Sequence, residues 1–496
     1  MSPKRRRRAT LARPSAGTSA LPDPILRLRF ERGSLRLDAI PELTLKTPDY
    51  LIWDDRVAAW RTAALNHLRL IEDVAARGCA LRDDAPNFFT CPPLRPALPP
   101  LRADQEAALD AWERGGRRGV IVKPTGTGKT EIALAAIARH RVSALIVTPL
   151  RDLMYQWHRR IRQTLGAEAG VLGDGRHEIW PITVTTYGSA WIYMKEIGNR
   201  YRLIVFDEAH HLPGPSLYES ALDCLAPMRM GLTATPERTD GRHRLLADLI
   251  GPVLYSERLP QARGQTVAHY SLVRVPIYLN EAEQEEFDRL SRRIRAYVAR
   301  RRRDAAGRAF DWAHDLAKRS RTDPEAKDIL RSYHRKLALV HRSTEKLRVL
   351  EDILRLHPSE QCVVFTASNR MALDVSARFL IPALTSHSDK RERNAVLDRF
   401  AAGRYRGLAA CQVLNEGWDA PAVKIGIVLG GEGGTREAVQ RLGRLLRRSD
   451  GRPALMYEVV VEESPDVARA RRRSGTDAYQ GAPRLSLGQV QQLDLL

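Results

Sequence analysis

Two short stretches carry residues able to act on a phosphate chain. Residues 123–130 read KPTGTGKT, after the apolar run GVIV and before a helical pattern. Gly126 and Gly128 allow a turn that points backbone N–H groups at an anion, with Thr125 and Thr127 completing the loop. Lys129 reaches the β and γ oxygens of a bound nucleotide, and the Thr130 hydroxyl can ligate Mg2+. Lys123 stands where Gly or Ala is usual in this pattern. Residues 205–211, VFDEAHH, end a second apolar run on two acids. At the tip of a strand neighbouring the loop, Asp207 is placed to hold the metal and Glu208 to polarise an attacking water. His210 is placed to report nucleotide state to adjacent loops, and His211 to face solvent. The chemistry these residues would suit is hydrolysis of a nucleoside triphosphate.

Such groups need a rigid sheet to hold them. After the proline-rich CPPLRPALPPL (residues 91–101), short β-branched runs (GVIVKP, SALIVTP, ITVTTYG, LIVFDEA, MGLTATP) alternate with amphipathic helical segments. That rhythm predicts a parallel sheet covered on both faces. It stops in the charged helical stretch of residues 281–342 and resumes at QCVVFTAS, GLAACQV and KIGIVLGG. The expected divisions are a disordered basic arm (1–24), a small α+β unit (25–98), a first α/β domain (99–258), a helical insertion (259–342), a second α/β domain (343–470) and a tail (471–496).

A chain of 496 residues exceeds one ordinary core. Its formal charge of +21 and pI near 10.1 point to a polyanionic partner, with nucleic acid the first candidate. Cys79, Cys91, Cys224, Cys362 and Cys411 are scattered without a C-x-x-C pair, which excludes a readable zinc ribbon or cysteine-ligated cluster and suggests reduced, intracellular thiols. No run approaches the ~20 apolar residues of a membrane helix, so no membrane role is expected. Heavy use of Arg and Ala suggests a prokaryotic cytoplasm and nucleoid; in a eukaryote, the basic arm suits a nuclear address.

With these motifs in this order, the chain resembles superfamily 2 helicases and translocases. LRADQEAAL resembles the Q motif, with Gln105 reading adenine, so the nucleotide implied is ATP. TPLRDLMYQW, TTYGS, TATPER, VVFTAS, VLNEGWDAP and QRLGRLLRR resemble motifs Ia, Ib, III, IV, V and VI. The implied fold is two RecA-like domains closing on one ATP. From motif VI, Arg444 and Arg447 supply positive charge to the transition state, with Gln440 and Arg441 beside the nucleotide. Thr148, Thr186, Thr366 and Asn415 imply strand contacts without base reading. Thr233, Thr235, Glu416, Gly417 and Asp419, together with His210, imply coupling between ATP and the strand grip.

Within the superfamily, GLTATPERTDGRH, FLIPALTSHSDKRERNAVLDRFAAGRYRG and the motif V–VI region resemble the XPB branch. Its Arg-Glu-Asp element falls on Arg238, Thr239 and Asp240, so the middle acid is missing. The resemblance also implies damage sensing by the α+β unit, DNA contact by Arg238 and by insertion arginines including Arg300 and Arg301, and a nuclease partner. The expectation is an ATP-dependent DNA motor, moving 3′ to 5′ in DNA repair or a related transaction. Two alternatives stay open: an RNA-remodelling helicase, and an ATP-gated DNA clamp or recruiter with little turnover.

Overall fold

The computed structural model describes residues 26–39, 48–124, 126–238, 240–257, 270–304, 311–411, 423–430, 454–474, 483–486 and 489–490. Thr125 and Thr239 lie outside the described residues. So do the arm 1–24, the motif V residues Asn415, Glu416, Gly417 and Asp419, and the motif VI residues Gln440, Arg441, Arg444 and Arg447.

The N-terminal unit is a five-stranded sheet with one long helix, His67–Ala76. Its strand Leu26–Glu31 alternates, with Leu26 and Leu28 buried and Arg27 and Arg29 exposed, so only one face meets the core. Leu70 and Val74 of the helix close that core, and Leu225 of the following domain joins the same cluster. The N–H groups of Asn87 and Phe89 donate to the carbonyls of Asn199 and Arg200 at 3.0 and 2.8 Å, which fastens this unit to the first α/β lobe. The proline-rich stretch is likewise held: Arg95 and Ala97 N–H groups donate to the carbonyls of Leu165 and Thr164 at the end of helix Arg151–Leu165.

The first α/β lobe carries an eight-stranded sheet in the order Val253–Ser256, Arg118–Val122, Met228–Thr233, Leu203–Asp207, Ala144–Thr148, Ile182–Thr186, Gly170–Gly173, Arg176–His177. All pairs are parallel except the last hairpin. Leu203–Asp207 is buried at every position, as a central parallel strand covered on both faces must be. One expectation is corrected by this order: the strand ending in Asp207 does not adjoin the phosphate-loop strand, because Met228–Thr233 lies between them.

The second lobe is a seven-stranded parallel sheet, in the order Ala383–Leu384, Gly407–Ala410, Cys362–Phe365, Ile425–Val428, Ala454–Val461, Tyr270–Ile277, Arg484–Leu485. The fold class is as read from the sequence, but two boundaries shift. Tyr270–Ile277, expected in the insertion, pairs along its whole length with Ala454–Val461. Arg484–Leu485, expected in a tail, pairs with Tyr270–Ile277 and adds the edge strand. The helical insertion therefore begins after residue 277, with helices Glu281–Asp304, Trp312–Arg319 and Pro324–His341. It has its own small core of Ile294, Tyr297, Leu316, Ala326 and Ile329, while Phe287 and Val340 root it in the core of the second sheet. All five cysteines are free thiols. Among the described residues, no helix is long and apolar enough to cross a membrane.

Candidate active site

The phosphate loop leaves strand Arg118–Val122 and enters helix Lys129–His140. Gly126 and Gly128 have φ of 80° and 81°, a backbone region that favours glycine. At Gly128 space adds a second constraint, since a Cβ there would lie 2.1 Å from Nε2 of Gln105. The Lys129 ammonium is buried and donates to the carbonyls of Lys123 (3.2 Å) and Pro124 (3.5 Å), folding back onto its own loop. Thr127 is buried with its hydroxyl on the Pro124 carbonyl at 2.7 Å, and Thr130 sits in the first turn of the helix.

Gln105 lies in the first turn of helix Ala103–Arg114, against this loop. Its carbonyl accepts from the Arg102 N–H at 2.9 Å, and its amide donates toward the carbonyls of Thr127 and Gly128 at 3.3 and 3.2 Å. Arg102 also donates to the Thr127 carbonyl. The residue expected to read adenine thus also braces the phosphate loop.

At the end of Leu203–Asp207 the two acids are buried side by side. Asp207 accepts from Trp157 Nε1 at 2.7 Å and from the Glu208 N–H at 3.1 Å, and the Tyr187 hydroxyl donates to the Asp207 carbonyl at 3.0 Å. Burial and the adjacent Glu208 charge push the Asp207 carboxyl up to about 6, against the opposing pull of Trp157 and Lys129. Glu208 has φ of 48°, which costs a non-glycine residue energy and aims its side chain. Its Oε2 accepts no hydrogen bond from a described residue. Two buried carboxylates, one raised and one with an oxygen that accepts no hydrogen bond from a described residue, are a donor set suited to a hydrated divalent cation bound together with phosphate. Among the described residues, no group of three or more His, Cys, Asp or Glu forms a metal cage.

His210 is fully buried, with Nδ1 3.0 Å from Thr233 Oγ1 and 3.5 Å from Glu208 Oε2. The Thr233 hydroxyl also lies 3.0 Å from the Thr235 carbonyl and accepts from the Thr235 N–H at 3.2 Å, so the histidine and the loop share one hydroxyl. Arg238 donates to the His210 carbonyl at 2.8 Å and forms a two-pronged pair with Asp240 at 2.9 and 2.7 Å. The next residue of the loop, Ala234, packs on the apolar core of the second lobe, where Phe400 and Leu408 lie. A continuous chain of contacts therefore runs from Glu208 to the lobe interface. His211, expected to face solvent, is half-buried, with its ring 4.3 Å from that of His210.

The expected strand contacts behave differently. Thr148 and Thr366 are buried, and their hydroxyls donate within the protein, to the carbonyls of Leu150 and Thr185 and of Ser368 and Ala410. Thr186 caps helix Tyr187–Ile197 by accepting from the Ser189 N–H. These three hydroxyls shape turns at the strand ends. Arg238 is committed to His210 and Asp240, as described. In the insertion, Arg300 pairs with Glu325, and Arg301 with Asp304 (2.8 Å) and Asp315 (3.4 Å). Arg292, Arg295, Arg302 and Arg303 of Glu281–Asp304 are exposed; Arg292 and Arg303 lie opposite its buried residues, and Arg295 and Arg302 on the flank between.

Comparison with known proteins places these features in a wider set. Residues 28–85 match the family described as Xeroderma pigmentosum group B helicase damage recognition domain. Residues 98–238 match Type III restriction enzyme, res subunit, and residues 345–449 match Helicase conserved C-terminal domain. The chain is 35% identical to the DNA 3'-5' translocase XPB2 of Sulfurisphaera tokodaii over 85% of its own length and 95% of that protein. It is 29% identical to the DNA 3'-5' helicase XPB of Mycobacterium tuberculosis over 77% of its length, spanning 64% of that longer protein. In fold it is similar to S. cerevisiae Dbp5 bound to RNA and ADP BeF3, with a TM-score of 0.53 and 15% identity over 79% of this chain and 92% of that one.

Proposed function

The chain belongs to the XPB family of DNA helicases, and from that premise we propose how its cleft works. It is an ATP-dependent DNA helicase or translocase, an ATP hydrolase built on two RecA-like α/β lobes. The observation that carries the proposed mechanism is the buried Asp207–Glu208 pair beside the phosphate loop, linked through His210, Thr233 and Ala234 to the other lobe.

ATP lies along the loop N–H groups, and Lys129 leaves the Lys123 and Pro124 carbonyls for the β and γ oxygens. Asp207 and Thr130 would hold Mg2+, which supplies charge neutralisation on the triphosphate. Trp157 and Tyr187 keep Asp207 in one orientation. Glu208 orients the attacking water through Oε2, which accepts no hydrogen bond from a described residue, and accepts its proton. Arg444 and Arg447 come from the second lobe to meet the charge that gathers on the γ-phosphate, so hydrolysis requires the lobes to close. Movement of the Thr233–Thr235 loop against the second lobe then turns nucleotide state into a step along DNA.

DNA contact is assigned to the basic face of the insertion, where Arg292, Arg295, Arg302 and Arg303 stand exposed, and to motif V through Asn415. Distortion sensing is assigned to the N-terminal unit. Its edge strand Ile52–Asp54 exposes the ring of Trp53, an aromatic surface suited to an unstacked base. Polarity of 3′ to 5′, a repair setting, a nuclease partner and a prokaryotic cytoplasmic location complete the proposal; polarity follows from the names of the two relatives, and the nuclease rests on resemblance alone.

RNA remodelling is not favoured, since the relatives are named for DNA and the RNA-bound Dbp5 shares only the fold. The test is steady-state ATP hydrolysis with matched DNA and RNA strands. DNA should stimulate strongly and RNA weakly; equal or greater stimulation by RNA overturns the assignment.

A further inference from the structure

The phosphate-loop strand ends on a lysine that the nucleotide chemistry does not use. Lys123 is wholly buried, and its ammonium donates to Asp104 at 2.8 Å and to Glu257. The Tyr255 ring centroid lies 5.3 Å away. A buried ammonium is costly to desolvate unless paired and hydrogen-bonded, and both conditions are met here. At the same position a small residue would remove the side chain that bonds both acids: Asp104 belongs to the helix that braces the loop through Gln105, and Glu257 follows strand Val253–Ser256. The Glu257 N–H donates to the Val122 carbonyl at 2.9 Å, so the acid is held in register beside the loop strand. From Glu257 the chain passes to Tyr270–Ile277, the first strand of the second lobe.

The main chain of Lys123 is tied to the site itself. Its N–H donates to the Thr233 carbonyl at 2.9 Å, and its carbonyl accepts from the Lys129 ammonium at 3.2 Å. One residue thus touches the nucleotide-sensing lysine, the loop that contacts the second lobe, the bracing helix and the start of the covalent connection between lobes. When Lys129 turns to a triphosphate, the Lys123 carbonyl loses its donor, and its side chain is rigidly linked to Glu257.

We propose that Lys123 is a positioning residue that couples occupancy of the phosphate loop to the inter-lobe connection through Glu257. This rests on the motor reading above. It is tested in the full-length chain by measuring ATP turnover with and without DNA. Glu257→Gln leaves Lys123 paired with Asp104, so turnover without DNA should stay near wild type. The ratio of DNA-stimulated to basal turnover should fall about 5- to 150-fold, the range of an ordinary coupling between sites. Glu257→Asp, which keeps the charge, should recover most of the ratio. Lys123→Met should lower the ratio as well, and the double variant Lys123→Met, Glu257→Gln should fall no further than Lys123→Met alone, because both act on one link. An unchanged ratio in Glu257→Gln, even with a lowered melting temperature, would make the network merely structural and overturn the inference. So would independent, multiplying losses in the double variant. Absence of DNA stimulation in the wild-type protein would instead overturn the motor reading.

Discussion

Glu208→Gln is expected to lower DNA-stimulated ATP turnover by about 10²- to 10⁴-fold, the range for loss of a positioned general base, while nucleotide binding is kept. The substitution is nearly isosteric and removes only the charge from a buried site. Binding should survive because the loop N–H groups, Lys129 and Asp207 are untouched. Turnover should not, because Oε2, which accepts no hydrogen bond from a described residue, is the atom proposed to take a proton from water, and the left-handed backbone at φ 48° aims it. Steady-state hydrolysis alongside a fluorescent-nucleotide titration checks both halves. Equal turnover in variant and wild type would remove Glu208 from the chemistry and favour an ATP-gated clamp.

Arg447→Ala is expected to slow hydrolysis by about 10³-fold or more with ATP affinity retained. The first lobe does not meet this need from its buried arginine. Arg229, fully buried there, turns its guanidinium to the carbonyls of Ala221, Cys224, Ala226 and Leu249 and serves the fold. In the proposed mechanism Lys129 would reach the phosphates in ground state and transition state alike, and so would lower the barrier less than an arginine arriving only on closure. Single-turnover hydrolysis from a preformed ATP complex separates the two roles. A variant that hydrolyses as fast as wild type would exclude Arg447 from catalysis.

The local structure of the proposed catalytic parts is legible in the sequence where the signal is local. KPTGTGKT carries its glycines at the turn positions, and LIVFDEA joins a fully apolar strand to its terminal acids within seven residues. What supports those parts was not legible, because the partners are remote and ordinary in type. Trp157 is 50 residues from Asp207 and reads as one more apolar position on an amphipathic helix. Lys123 finds its acids 19 and 134 residues away; its unusual place in the loop was visible, its partners were not. Strand Tyr270–Ile277 reads as part of the insertion for a similar reason. Arg274 and Pro276 interrupt its apolar run, and the strand it pairs with begins at Ala454. Thr148 and Thr366 show the limit in the other direction: their types suit phosphate contact, but the direction of a side chain at a strand end is set by the sheet.

The central claim is that ATP hydrolysis in this cleft is converted into movement along DNA. Its most direct test is displacement of a third strand annealed to duplex DNA, followed with ATP, with a non-hydrolysable analogue, and with the Glu208→Gln protein. Release with ATP and wild-type protein alone is the predicted result. Release that proceeds equally with the analogue, or no release while DNA-stimulated hydrolysis runs at full rate, would contradict it.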